Sequence, residues 1–335
     1  MATSKRMQLS LSETIPMFLK FCETHFSPNT CAGYTLILDQ FLEFHHDAPL
    51  NSIQAEDIEK FLHHMKHTPY KISRGVAAID SRTRPRKPKT LANMHIGLSS
   101  FWRWASQRGY VPKDIMNAVP AIKVHQEPVD PLADTELANL IRATARSREY
   151  HSKATITNMR LAAERDKAII GLLSETAIRV SEACSLKMKH LTFEPGSSGG
   201  GMLMVELGKG NKSRIVPFSR RCASWLKEYV SLRPAALPED WLFVGVGRYR
   251  GQQLTRSGVL GMIKGLGERI GVHVTPHRLR TTAACMMLQN GMGIYDLQRI
   301  MGHSDIKTTK RYVAAARVDL AAAMKKASPL DNIRL

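Results

Sequence analysis

The chain has 335 residues, and its 48 Lys and Arg side chains outnumber 29 Asp and Glu, which gives a formal net charge of +19. A hydrophobic fraction of 43% is ordinary for a protein that folds around apolar cores, and it excludes a disordered chain. The sequence contains no long apolar run, no secretory signal at residues 1–7 and no C-x-x-C pair among its five cysteines. It therefore predicts a cytoplasmic protein with no membrane span.

Four amphipathic helices are predicted in the first 123 residues, which we interpret as one helical domain. Ser27 and Pro28 form an N-cap followed by a proline at the first helical position. Apolar residues recur at helical spacing in four segments, which are residues 11–22, 28–42, 58–65 and 90–109. The first helix begins near Leu11, and we expect no room for a further domain before it.

A strongly basic segment separates the third and fourth helices. Residues 67–89 hold seven Lys and Arg side chains against one acid, Asp80, and Pro85 and Pro88 break any helix there. The segment is therefore predicted to be a long basic loop. Its candidates for contacts with DNA are Arg82, Arg84, Arg86 and Lys87. A solvated insert without a partner is the alternative.

Residues 124–132 contain two prolines and no periodicity, which predicts a linker to a second domain at 133–335. Asp134 is predicted to cap a helix that runs to about Ala145. Further helices are predicted at residues 165–174, 219–232, 255–270, 277–290 and 293–300 and around Tyr312.

A β-hairpin is predicted within the second domain. The glycine-rich turn at 208–212 separates two apolar segments, 202–207 and 213–218, as expected for paired strands. The predicted fold is therefore mainly α with a small β-sheet, in which a helical domain precedes a mixed α/β domain. Both halves are basic, since residues 1–126 carry a net +6 and residues 127–335 a net +13, and this favours nucleic acid as the partner.

Strong bases and one tyrosine lie at the predicted ends of elements in the second domain. They are Arg179, Lys209, His277, Arg280, His303 and Tyr312. Paired guanidinium groups can hold the oxygens of a phosphodiester, a tyrosine can attack it as a covalent nucleophile, and histidine and lysine can move the protons. Singly, each residue is more commonly an ordinary surface or core side chain, so the prediction depends on their combination.

Four segments resemble, in the same order, the sequence boxes of the tyrosine recombinases, the family of phage integrases and Xer-type recombinases. They are TAIRVSEACSL (176–186), GKGNKSRIVP (208–217), TPHRLRTT (275–282) and IMGHSDIKTTKRYV (300–313). The resemblance implies a catalytic domain of that family at 133–335. Residues 1–123, which include FWRWASQRG at 101–109, resemble the family's core-binding domain.

This resemblance implies a role for each candidate residue. Arg179 and Arg280 would hold the scissile phosphate, and His303 would donate a hydrogen bond to one of its oxygens. Tyr312 would attack the phosphorus and form a 3′-phosphotyrosine with a free 5′-hydroxyl.

Three further residues would support that step. His277 would accept the phenol proton, Lys209 would protonate the leaving 5′-oxygen, and Glu182 matches an acidic position that supports the site. The covalent linkage conserves the energy of the broken bond, so the resemblance implies no metal, ATP or other cofactor. It also implies double-stranded DNA sites as the substrate, a Holliday junction, a homotetramer on DNA and a role in integration or a mobile genetic element.

The sequence departs from the family at several places. His190 stands where the family often has Asp, and residues 281–284 (TTAA) replace a pattern of His, a hydroxyl residue and an aromatic. The glycine-rich turn at 196–201 and the basic segment at 67–89 resemble insertions. Residues 318–324 predict a short apolar helix, which would dock on a neighbouring subunit or pack on its own domain.

Two alternative functions remain open from the sequence. A type IB topoisomerase would use the same chemistry to relax supercoils, although the helical first domain favours recombination. A DNA-binding regulator on the same scaffold would need the phosphate-holding arginines but not Tyr312, so the complete set of residues argues against it.

Overall fold

The structure of the chain is a computed structural model. The structure describes residues 9–68, 70–74, 78–125, 128–146, 156–196, 199–206, 213–316, 321, 324 and 328, with the backbone alone at 70–74, 78–84, 146, 156 and 248. The chain divides into two units, Met1–Gln126 and Glu127–Leu335. Among the described residues, no helix is long and apolar enough to cross a membrane.

The first unit is built on four helices, as the sequence predicts. They are α1 (Leu11–His25), α2 (Pro28–His45), α3 (Ala55–His67) and α4 (Pro88–Gln107). The Ser27 side chain accepts the N–H of Thr30, and Pro28 is the first helical residue, so the predicted cap is confirmed. The four apolar faces meet around buried aromatic side chains, among them Phe18 and Phe101, whose rings lie edge to face.

The prediction of a loop at 67–89 is wrong. This segment contains an antiparallel hairpin of β1 (Tyr70–Arg74) and β2 (Ala78–Arg84), in which Ile72 pairs with Asp80 and Ser73 with Ile79. Charged residues can occupy a strand that pairs only with its neighbour, because the backbone bonds of the ladder do not depend on side-chain polarity. A high density of charge is therefore not evidence for a loop.

Two of the basic candidates beside this hairpin have described side chains. Arg86 Nη1 donates to the carbonyls of Thr68 (2.6 Å) and Met65 (3.0 Å), at the C-terminus of α3. These carbonyls have no partner within the helix, so Arg86 caps α3. Lys87 is exposed at the N-cap position of α4.

The second unit contains eight described helices and one sheet. The helices are α5 (Asp134–Ala143), α6 (Ile156–Thr176), α7 (Val180–Cys184), α8 (Arg220–Leu232), α9 (Arg256–Arg269), α10 (Pro276–Gln289), α11 (Ile294–Met301) and α12 (Ile306–Ala316). Ala133 is the N-cap of α5 and Asp134 is its first helical residue, so the predicted cap is wrong by one position.

The sheet has three antiparallel strands in the order β3 (Leu191–Phe193), β4 (Gly201–Val205) and β5 (Arg214–Phe218). The predicted hairpin is confirmed by the pairing of β4 with β5, in which Leu203 faces Val216. Both side chains are buried in the main core, together with the apolar face of α6. The fold is therefore mainly α with a small sheet, as predicted.

His190 stands where the sequence departs from the Asp that the resemblance leads us to expect. Its side chain is buried, and Nδ1 accepts the backbone N–H of Lys187 at 3.2 Å. Asp commonly makes this bond to a backbone N–H at the start of a turn. The His190 ring therefore supplies a local bond to the backbone of a kind that Asp can also make.

A second, smaller apolar cluster packs α10, α11 and α12 together. Small side chains dominate it, and its members include Ala283, Ala284, Cys285, Leu297, Met301, Tyr312 and Ala316. Because small residues let helices approach closely, α12 lies directly against α10. The cluster thereby fixes the helix that carries Tyr312.

Candidate active site

Five of the predicted catalytic residues line one cavity of about 430 Å³ in the second unit. They come from the start of α7, from α10, from the segment after α11 and from α12. We call this cavity the basic pocket; its lining includes Arg179, Ser181, Arg256, His277, Arg280, His303, Thr308, Arg311 and Tyr312. Four guanidinium groups and two imidazoles around one cavity suit a phosphate group.

The start of α7 places Arg179 at the pocket. Ala177 adopts a left-handed conformation (φ 50°), which turns the chain sharply after α6. Arg179 is the N-cap of α7, and its side chain is 44% exposed. Its own N–H donates to Glu182 Oε2 at 2.7 Å and its Nη1 donates to Oε1 at 2.9 Å. The guanidinium is therefore tethered on one side and free to meet a ligand on the other.

Glu182 is the anionic centre beneath these arginines. Arg214 donates to its carboxylate through both terminal nitrogens, at 3.1 and 2.8 Å. Burial acts to raise the pKa of Glu182, but the hydrogen bonds from Arg214 and Arg179 outweigh it and lower that pKa. Glu182 is therefore ionised at neutral pH and holds two guanidinium groups in fixed orientations.

Arg280 is the most enclosed cation of the pocket, with 5% of its surface exposed. Its Nη1 donates to the carbonyl of Ala177, and its Nη2 donates to the Met301 carbonyl and to His303 Nε2, both at 2.9 Å. Burial, followed by the positive charge of Arg179, lowers the pKa of Arg280 to about 10. Arg280 thus remains charged at neutral pH while it joins three segments of the site.

The imidazole of His303 lies between Arg280 and a buried hydroxyl. Because Arg280 can only donate, Nε2 of His303 accepts, and Nδ1 carries the hydrogen toward Thr309 Oγ1, 2.9 Å away. Burial and then the charges of Arg280 and Arg179 lower the pKa of His303 to about 4. His303 is therefore neutral in the free protein at pH 7.

Tyr312 is buried, with 2% of its surface exposed. Its ring lies nearly parallel to that of His303, with centroids 6.4 Å apart. His277 is at the rim of the pocket, where desolvation and then the charges of Arg311 and Arg280 lower its pKa. A neutral imidazole beside the pocket can accept a proton, which suits the predicted base.

The remaining predicted residues are not brought to the basic pocket by described contacts. Lys209 lies outside the described residues, as does most of the tail at 317–335. Arg82 and Arg84 belong to β2, of which the backbone is described.

Sequence reasoning missed Arg214, Thr309, Arg256 and Arg311. All of these except Arg256 lie inside the segments that carry the family resemblance, 208–217 and 300–313. Membership of those segments is the signal that could have singled them out.

The low pKa of His303 predicts that the free protein loses stability in acid. Unfolded His303 takes up a proton near its ordinary pKa of 6.5, whereas the folded protein resists this until about pH 4. Because the unfolded state then binds more protons, the free energy of unfolding falls as the pH drops through this window. Urea unfolding across the window should show a shallower decline for His303→Asn, and equal slopes would contradict the assignment.

Comparison with known proteins places the second unit in one family. Residues 146–318 match the sequence profile of the phage integrase family. Over 169 residues the chain is 35% identical to tyrosine recombinase XerA of Pyrococcus horikoshii, a match that covers 50% of this chain but only 57% of that protein. It is 28% identical to tyrosine recombinase XerC of Roseiflexus castenholzii over 314 residues, covering 90% of this chain and 88% of that one.

Solved structures show the same fold at lower identity. The XerH site-specific recombinase bound to a palindromic difH substrate aligns with a TM-score of 0.68 and 19% identity, covering 96% of this chain and 85% of that one. A lambda integrase dimer bound to a COC′ core site aligns with a TM-score of 0.66 and 16% identity, covering 91% and 77%. At these identities the likeness concerns the fold.

Proposed function

Because the chain belongs to the phage integrase family of tyrosine recombinases, we propose that it cleaves and rejoins double-stranded DNA at specific sites through a 3′-phosphotyrosyl intermediate. The observation that carries the proposal is that Tyr312 shares the basic pocket with Arg179, Arg280, His277 and His303. A phosphate-holding pair of guanidinium groups, a nucleophile and a neutral base are the parts that this reaction needs.

In the proposed cleavage step, the scissile phosphate enters the pocket between Arg179 and Arg280. The phenol oxygen of Tyr312 forms a bond to phosphorus, its proton passes to His277, and the bond to the 5′-oxygen breaks. Lys209 gives a proton to that oxygen. The guanidinium groups stabilise the negative charge that develops on the non-bridging oxygens.

Substrate binding changes the partners of His303 in this mechanism. Nε2 of the free protein accepts from Arg280, so donation from Nε2 to a phosphate oxygen needs a proton there. The negative phosphate favours that proton and draws the Arg280 guanidinium toward itself. The Nδ1 bond to Thr309 holds the ring in place during the exchange.

Rejoining reverses these steps with the 5′-hydroxyl of another strand as the nucleophile. The phosphotyrosyl ester conserves the energy of the phosphodiester, so the proposed reaction uses neither ATP nor a metal ion. Two such exchanges, separated by a Holliday junction, recombine two sites when four subunits act together. A solved lambda integrase tetramer bound to a Holliday junction has this fold.

Covalent trapping tests the proposal directly. Duplexes from the DNA that flanks the gene, each with a nick beside one phosphate, would be incubated with the protein in EDTA without ATP. After cleavage, the short fragment between the cleaved bond and the nick, which carries the 5′-hydroxyl, diffuses away and rejoining is prevented. A denaturant-resistant adduct should therefore accumulate, and mass spectrometry should find the DNA attached to Tyr312. An adduct at another residue, or none, would contradict the proposal, and equal relaxation of plasmids without sites would indicate a topoisomerase.

Lys209 is predicted to be the acid for the leaving group. Lys209→Ala should slow cleavage of an ordinary duplex and be rescued, at least in part, by a substrate with a bridging 5′-sulfur, because a thiolate leaves without a proton. His277→Ala should show no such rescue. The opposite pattern in single-turnover assays would mean that the acid and base roles are exchanged.

The basic residues of β2 and of the segment that follows it are predicted to contact phosphates. Joint neutralisation of Arg82, Arg84 and Lys87 should weaken binding to all sequences alike and reduce the slope of log K against log salt by about 0.9 for each lost contact. Arg86 is the control, because its bonds to α3 predict a loss of thermal stability instead. An unchanged slope for the triple variant would mean that these side chains are solvated and do not contact phosphates.

A further inference from the structure

Arg214, the first residue of β5, is nearly enclosed, with 10% of its side chain exposed, and it does not line the basic pocket. We propose that Arg214 is a positioning residue for strand cleavage, which holds the Arg179 side and the His303 side of the pocket at a fixed separation. The inference rests on the proposed function and adds a residue that touches neither the phosphate nor the nucleophile.

One end of the Arg214 guanidinium fixes the Arg179 side. Its two terminal nitrogens bind both carboxylate oxygens of Glu182 in a fork. The same two oxygens bind the N–H and the side chain of Arg179, at 2.7 and 2.9 Å. Any rotation of the carboxylate would therefore move Arg179, and Arg214 prevents that rotation.

The other edge of the guanidinium fixes the His303 side. Nε of Arg214 donates to the carbonyl of Ile300 at 2.7 Å, in the last turn of α11. Gly302 follows in a left-handed conformation (φ 64°), and a Cβ built on it would lie 3.0 Å from Cζ of Arg214. The guanidinium is thus packed directly against the backbone that leads into His303.

A guanidinium is required for this arrangement. Three of its nitrogens act at once in one plane, two on a carboxylate and one on a carbonyl 86 residues away along the chain. A lysine ammonium keeps the charge but is a single point that cannot span both partners. Replacing Arg214 by Lys therefore separates positioning from charge.

The variants Arg214→Lys and Arg165→Lys form a matched pair. Arg165 is also buried, binds the carboxylate of Asp166 through two nitrogens and donates to a backbone carbonyl, that of Val244, but it lies outside the pocket. Both changes should lower the melting temperature. Only Arg214→Lys should slow single-turnover cleavage. We expect a loss of about 10²-fold, which is typical when the reacting groups are slightly misplaced. The Kd for a half-site should change little.

A methylphosphonate at the scissile position supplies the readout that distinguishes positioning from stability. This substrate lacks one charged oxygen, so it depends less on the placement of Arg179. The loss caused by Arg214→Lys, relative to wild type, should be at least tenfold smaller on methylphosphonate than on phosphate. Glu182→Gln weakens the same pair of hydrogen bonds and should show the same difference between the two substrates. It replaces Arg214→Lys in the test if that variant does not fold.

Equal losses on the two substrates, or the same loss for Arg165→Lys, would overturn the inference. Full activity of Arg214→Lys would overturn it as well. Failure of the proposed function would be distinguished by the wild type, which would then form no adduct at Tyr312 on either substrate.

Discussion

Replacing Tyr312 with phenylalanine is expected to abolish strand cleavage and leave DNA binding nearly unchanged. The phenol oxygen is the proposed nucleophile, and phenylalanine has no group that can form the bond to phosphorus. Phenylalanine retains the ring that packs beside His303 in the apolar cluster, so the fold and the phosphate-binding groups should persist. Cleavage of nicked duplexes and half-site binding in gel-shift assays measure the two effects.

The chain offers a control in Tyr295, which is 72% exposed on α11. Tyr295→Phe removes an equivalent oxygen away from the basic pocket and should cleave at the wild-type rate. Cleavage by Tyr312→Phe at an undiminished rate would overturn the assignment of the nucleophile. Loss of binding together with cleavage would mean that the hydroxyl supports the fold of the site.

Arg280→Ala and Arg179→Ala are each expected to reduce the cleavage rate by about 10²–10³-fold, the typical loss when one preorganised donor to a developing negative charge is removed. The structure predicts that they differ in stability. Arg280 is buried and binds two carbonyls, so its loss leaves buried acceptors without a partner and costs about 1–3 kcal/mol for each. The Arg179 side chain is 44% exposed and makes one hydrogen bond, to Glu182, so Arg179→Ala should lose less stability than Arg280→Ala.

Single-turnover rates and urea unfolding of the same preparations test this pair of effects. Arg278 is the matched control, because it lies on α10 beside Arg280 but binds Asp130 and the His273 carbonyl outside the pocket. Arg278→Ala should retain cleavage. If Arg280→Ala cleaves normally, Arg280 is a structural residue, and if Arg179→Ala is the less stable variant, the division of roles is wrong.

Local chemistry predicts where helices start but not which distant residues meet. Thr275 caps α10 and Pro276 opens it, so the helix that carries His277 and Arg280 follows from adjacent residues. Arg214 instead acquires its role from Glu182 and from Ile300, 32 and 86 residues away, and no local pattern contains those contacts.

The two wrong element predictions have a common cause. The density of charge around β1 and β2 predicts a loop, whereas these segments pair as a hairpin. Strand pairing uses backbone groups, so it does not depend on the charge of the side chains. The residue type of Asp134 predicts a cap for α5, whereas the backbone begins the helix one position earlier, with Ala133 as the N-cap. In both places the local structure follows the geometry of the backbone and not the preference of the side chains.

The burial of Tyr312 bears on how long a covalent intermediate would survive. The Tyr312 side chain is 2% exposed, so the ring of a phosphotyrosyl ester in the basic pocket would remain packed against the small apolar residues of α10 and α12, which keep bulk water from that side. Hydrolysis would leave a permanent break in the DNA, whereas attack by a 5′-hydroxyl restores a continuous strand. The ester would be shielded on the side of α10, and the pocket is open on the side of the partly exposed Arg179. This arrangement favours the 5′-hydroxyl of the returning strand over water as the second nucleophile.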